Sequence, residues 1–135
     1  MPFHEARFRV RYAETDQMGV VYHSHYITWM EIGRVELCRS RGVRYRDMEE
    51  QDGIILAVVD VQCRYVSPAR YDDEVIVRAS IDKAQTRLVR FRYEILEACE
   101  NRVLAHGTST HVFLDKALKP SKLPPKYHAL FGIER

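Results

Sequence analysis

Only one stretch of this chain carries the three-and-four spacing of a long helix, and its apolar residues point to most sides of the axis. Tyr22, Tyr26, Met30, Gly33 and Leu37 fall on one stripe, while Trp29, Ile32 and Val35 lie off it. A helix laid on a surface keeps a polar side, whereas one that is apolar on most sides is surrounded by other structure. The segments elsewhere in the chain alternate at period two, which predicts strands. A helix is about 10–12 Å across, and five strands spaced at about 4.8 Å make a wider sheet. One helix covers such a sheet only if the sheet curls around it.

Taken in order, Phe8, Val10 and Tyr12 alternate with Arg7, Arg9 and Arg11, predicting a first strand over 4–12. The helix follows and is expected to stop near Gly42, after Arg39 and Arg41 in its last turn. The charged stretch Arg44 to Asp52 reads as a solvated short helix or turn. Ile54 to Val66 is apolar on both sides at first and then alternates, as in a long interior strand ended by Ser67-Pro68. Val75, Val77, Ala79 and Ile81 mark the next strand, and the short connection Asp82 to Thr86 suits a hairpin into Val89, Phe91, Tyr93 and Ile95. A turn at Glu100-Asn101 leads to the last strand, Val103 to Leu114, where Gly107 marks a bulge or a close backbone approach. Residues 118–135, with Pro120, Pro124 and Pro125, read as a tail with room for one short helix. The whole is one α+β domain over 1–135 with an antiparallel meander. Its open sheet edge suits pairing with a second copy.

Between strand one and the helix, residues 12–23 read YAETDQMGVVYH. Thr15, Asp16 and Gly19 make this a loop, because such residues bond their own backbone or permit positive φ. The loop delivers one carboxylate, Asp16, directly ahead of a helix N-terminus. The unpaired N–H groups and positive dipole end there suit a developing oxyanion. A carboxylate facing such a site is equipped to hydrolyse an ester or thioester. Taken singly, an Asp after Thr is as often an Asx turn, Tyr12 is an inward strand residue, and His23 is a polar residue at a helix start.

Several function classes are disfavoured. The net charge of +2 is too small to imply a nucleic-acid or membrane partner. Cys38, Cys63 and Cys99 are odd in number without a C-x-x-C spacing, and read as free thiols in a reducing compartment. MPFHEARFRVR has no signal-like apolar core, and the uncharged stretch Gln17 to Met30 is shorter than the ~18 apolar residues of a membrane span. A cytoplasmic protein is expected. His23 and His25 do not share a helix face, and His106 and His111 would fall on opposite faces of a strand, so no metal site is expected.

The pattern Y-x-x-T-D-x-x-G-x-V-Y-H from Tyr12 to His23 resembles the signature of the 4-hydroxybenzoyl-CoA thioesterase family, in its YbgC-like branch. Glu31 and Arg34, YVSPARYDDEV from Tyr65, and AHGTSTHVFLD from Ala105 are similar to the family's later blocks. The resemblance implies a hot-dog fold, a long central helix wrapped by a curved five-stranded antiparallel sheet, and hydrolysis of acyl-CoA to free acid and coenzyme A. It makes Asp16 the catalytic carboxylate, as nucleophile or general base, with Tyr12 and His23 orienting substrate or water. The backbone N–H of His23 becomes the oxyanion donor, and Gly19, Val20 and Tyr22 lie along the substrate. It further implies a homo-oligomer, a dimer or a dimer of dimers (homotetramer), and no cofactor beyond the coenzyme A of the substrate. Arg64, Arg87 and Arg90 are the cations available to its phosphates, although each singly reads as part of a solvated strand face. Members often have Asp in place of Glu14 and Asn in place of His25, departures expected to bear on acyl preference more than on the reaction. The alternatives are a non-catalytic acyl-CoA-binding or regulatory module, an acyl-thioester dehydratase on the same fold, and a structural oligomer.

Overall fold

The computed structural model describes residues 3–133. In chain order these form β1 (His4–Arg9), a 3-10 turn (Tyr12–Glu14), α1 (Ser24–Ser40), α2 (Tyr45–Asp52), β2 (Ile55–Tyr65), β3 (Glu74–Ala84), β4 (Leu88–Glu97), β5 (Arg102–Leu114), a second 3-10 turn (Pro125–Tyr127) and α3 (His128–Phe131). The five strands make one antiparallel sheet in the order β1-β3-β4-β5-β2. Hairpins join β3 to β4 and β4 to β5. The chain reaches the two outer strands by longer routes.

Two expectations are corrected by this topology. The first strand ends at Arg9, and Tyr12 opens the 3-10 turn instead of continuing the strand, with its side chain 77% exposed. The stretch read as an interior strand is one of the two sheet edges, β2, with Val58 and Val59 at 50% and 57% exposure. A register shift between Val58 and Asp60 breaks the alternation, so apolar residues stand on both sides without both sides being covered. The expected close approach is present at Gly107, opposite Cys63. A Cβ there would lie 1.9 Å from the Gln62 carbonyl oxygen, closer than any side chain allows.

The helix α1 packs chiefly over β1 and β3. Its contact is close at Gly33, where a Cβ would stand 2.6 Å from Cγ1 of Val77. Trp29 is fully buried and meets Phe8 edge-on at 5.3 Å. The tail completes the far end of the concave face. Phe131 is fully buried against Phe91 and Phe113, with ring centroids at 6.3 and 6.0 Å. Arg41 donates to the Leu130 carbonyl at 2.6 Å, and the Tyr127 hydroxyl donates to Asp52. No helix among the described residues is long and apolar enough to cross a membrane.

Candidate active site

The loop that carries Asp16 is held at several points. Thr15 bridges to Val21, the Asp16 N–H donates to the Val20 carbonyl at 2.9 Å, and the Val21 N–H donates to Ala69 at 2.9 Å. Gly19 closes the tip at φ +78°, a conformation that costs a glycine nothing. The strongest anchor is Glu14, only 3% exposed. Its carboxylate accepts from the Arg11 N–H at 2.8 Å, from Nε1 of Trp29 at 2.9 Å, and from the Arg11 guanidinium at 3.3 Å. Burial pushes this carboxyl up, but the donors outweigh it and hold it below its ordinary value. The Tyr22 N–H then donates to the Glu14 carbonyl at 2.9 Å, tying the loop's exit to the same residue. Glu14 therefore braces the loop against the core.

Asp16 is half-buried, and one of its oxygens accepts from the Met18 N–H at 2.9 Å. The Asx turn is thus realised on one oxygen. The other has no protein donor among the described residues. Directly downstream, α1 begins with His23 as its N-cap in helical conformation, and the backbone N–H groups of His23 and Ser24 find no acceptor among the described residues. Asp16, Val20, Tyr22, His23, Tyr26 and Tyr65 line one cavity of about 390 Å³. It holds a carboxylate, His23 with its free backbone N–H at the helix N-terminus, and aromatic walls.

Tyr65 did not stand out in the sequence reading. Its hydroxyl donates to the His23 carbonyl at 3.0 Å, and its ring meets those of Tyr26 and His23 edge-on at 5.3 and 6.2 Å. The signal that marks it is its place at the head of YVSPAR, one of the family-like blocks; strand alternation says nothing of its reach to α1.

The other expected site residues separate into two groups. Val20 and Tyr22 line the cavity with Asp16 and His23, and Gly19 shapes the loop beside it. Tyr12 is not brought in: it stands outside, edge-on to Tyr71 at 5.7 Å. The three arginines are not brought in either, because their side chains belong to the opposite sheet face or to a turn. Arg64 lines a separate concavity of about 670 Å³ with Arg78 and Arg92. Arg90 bonds Thr110 at 3.1 Å and pairs with Asp82 at 3.8 Å, and Arg87 is exposed in the β3–β4 turn. His25 is half-buried beside Tyr22. Among the described residues no group of three His, Cys, Asp or Glu side chains offers a metal-ligand set.

A family model described as the thioesterase-like superfamily matches residues 10–131. The YneP protein of Bacillus subtilis is 36% identical over 126 residues, which cover 90% of each chain. The acyl-CoA thioester hydrolase YbgC of Escherichia coli O6:H1 is 31% identical over 125 residues, 91% of each. Among solved structures, the DHNA-CoA thioesterase of Staphylococcus aureus superposes with a TM-score of 0.93 at 31% identity, over 98% of this chain and 90% of that one. The curved sheet around one long helix is the hot-dog arrangement of these proteins.

Proposed function

The chain belongs to the thioesterase-like superfamily, and from that premise we propose that it is an acyl-CoA thioesterase in which Asp16 activates water. The observation that carries this reading is the single cavity shared by Asp16 and by His23, whose unpaired backbone N–H opens α1. The thioester carbonyl oxygen is directed at the His23 N–H. Asp16 takes a proton from water as the resulting hydroxide bonds to the carbonyl carbon, and the helix terminus holds the oxyanion. Collapse breaks the C–S bond, and the departing thiolate takes the proton from Asp16. A thiol with a pKa of roughly 8.5 leaves without a strong acid, so so small a set of groups suffices. Tyr65 keeps the start of α1 in place through the His23 carbonyl. No cofactor beyond the coenzyme A of the substrate enters the scheme.

The same reading makes the protein a cytoplasmic homo-oligomer. Its free thiols suit a reducing compartment. The β2 edge, with Val58, Val59 and Val61 exposed beside unpaired backbone groups, is the surface for a second copy. A copy docked there would lie beside the cavity at Tyr65, the end of that strand.

Asp16→Asn tests the chemistry apart from the packing. The expected result is a fall in kcat of at least about 10²-fold, with acyl-CoA binding and melting temperature nearly unchanged. A variant with near-wild-type kcat would remove Asp16 from the reaction and favour a binding module. Single turnover in oxygen-labelled water distinguishes the roles of the carboxylate. Label left on the enzyme marks an acyl-aspartyl anhydride opened at the aspartyl carbonyl, whereas general-base attack puts the label into the released acid at once.

A further inference from the structure

Three donors converge on the Glu14 carboxylate, and they come from two separate parts of the chain. The Arg11 N–H reaches one oxygen, while Nε1 of Trp29 and the Arg11 guanidinium share the other. The Arg11 bonds are local and belong to the 3-10 turn. The Trp29 bond is of another kind: it spans fifteen residues and joins the entry of the Asp16 loop to the buried side of α1. Glu14 does not line the Asp16 cavity. Any part it has in the reaction is therefore exerted through another residue.

The helix carries both the oxyanion donor and the partner of Glu14. His23 offers its free N–H at the start of α1, and Trp29 stands six residues later, roughly 9 Å along the axis. Trp29 is fully buried and meets Phe8 and Tyr26 edge-on, with ring centroids at 5.3 and 4.8 Å. It is a fixed point. Asp16 follows Glu14 by two residues, a length of chain that reaches at most about 7 Å. The Asp16 N–H bond to Val20 and the Gly19 N–H bond to Asp16 fix the shape of the loop, and the Val21 bond to Ala69 fixes its exit. The Glu14 carboxylate is the side-chain link from its entry to α1.

We propose that Glu14 and Trp29 are positioning residues for the reaction: their bond holds the entry of the Asp16 loop to α1 and so sets the distance from the Asp16 carboxylate to the N–H of His23. This rests on the thioesterase reading and adds to it a pair of residues outside the cavity. The link requires a carboxylate. Every hydrogen-bond partner of the Glu14 side chain is a donor, and an ionised acid accepts on both oxygens. A glutamine has one acceptor and one NH2, so it keeps either the Arg11 N–H or Trp29 and sets two donors against each other at the remaining contact. A misplacement of about 1 Å, caused away from the reacting atoms, is enough to lower a rate by about 10²-fold.

The test uses Glu14→Gln, Trp29→Phe and the double variant Asp16→Asn with Glu14→Gln, on an acyl-CoA that the wild type hydrolyses. Glu14→Gln should lower kcat by about 10- to 100-fold with KM nearly unchanged, measured well below its melting temperature. Trp29→Phe keeps an aromatic ring beside Phe8 and should lower kcat in the same way. In the Asp16→Asn background, Glu14→Gln should lower kcat no further, because a residue that acts through Asp16 has nothing left to position. The single tryptophan gives one indole N–H resonance, which reports the bond directly. In Glu14→Gln that resonance should shift and exchange faster with water, and the amides of residues 16–21 should exchange faster while those of β3 to β5 keep their rates. A lowered melting temperature with kcat intact would make Glu14 merely structural and overturn the proposal, as would an equal loss of kcat in the Asp16→Asn background. Either result leaves the thioesterase reading standing. A wild type that hydrolyses no acyl-CoA would overturn that reading instead, and the link would then stand or fall on the exchange of the indole and the loop, unchanged rates in Glu14→Gln overturning it. Should Trp29→Phe fail to fold, Glu14→Gln preserves side-chain size and decides the matter.

Discussion

Glu14 and His111 are both ionisable, both buried, and settled in opposite ways. Glu14 keeps its charge because donors from Arg11 and Trp29 converge on it. Its stabilising effect is present above the ordinary carboxylate value and is lost as pH falls through the lowered folded value. His111 is 0% exposed and is held neutral, down at about 4 from an ordinary 6.5. The unfolded chain therefore binds its proton first on acidification. Above pH 6.5 the residue makes no difference, and between 6.5 and about 4 stability falls by an amount that approaches about 3 kcal/mol. Histidine thus starts the acid decline, and Glu14 joins it at lower pH. Denaturant unfolding from pH 7 to pH 4 should show the slope in the wild type and a flatter line in His111→Gln. An equally steep line in that variant would assign the slope elsewhere.

At the scale of elements, α1 and the tail divide the concave face between them. Gly33 lets the helix sit close on β3, and the tail fills what the helix leaves open at the far end. The prolines at 120, 124 and 125 limit regular structure in this segment, which reads in sequence as a tail with room for one short helix; α3 is that helix, and Leu123, Tyr127, Leu130 and Phe131 all belong to the core. Phe131→Ala should cost about 3–5 kcal/mol in chemical unfolding, the range for emptying a buried aromatic site. Because Phe131 packs on Phe91 and Phe113, away from the Asp16 cavity, kcat at low temperature should change little. A loss under about 1 kcal/mol would mean that the tail lies on the core without supporting it.

For the whole molecule the contrast between the two sheet edges matters most. β1 presents Arg7 and Arg9, and charged edges discourage pairing. β2 presents Val58, Val59 and Val61, which stay 50%, 57% and 37% exposed. Val59→Lys puts a charge on that edge at a position already 57% exposed, so the subunit itself should fold normally. Light scattering at micromolar concentration should give a dimer or larger for the wild type and a monomer for the variant. A wild-type protein that is monomeric and fully active would sink the proposed assembly.

The residues 12–23 were legible in the sequence because their structure is local. Thr15, Asp16 and Gly19 make a loop through bonds within a few residues, and the free N–H groups of α1 follow from where the helix begins. The period-two segments were legible too, since alternation reports burial of one face whichever strand lies beside it. Neighbours were not legible. That β2 lies beside β5 at an edge, that Tyr65 reaches the start of α1, and that Arg64 faces away from Asp16 all depend on pairing between residues distant in the chain. The cavity bounded by Arg34 and Ser109 is of the same kind: the helix supplies its cation and β5 its buried hydroxyl, and local patterns do not encode the distance between them. Local hydrogen bonding and hydrophobic period are written in consecutive residues, whereas the site's far wall was decided by packing.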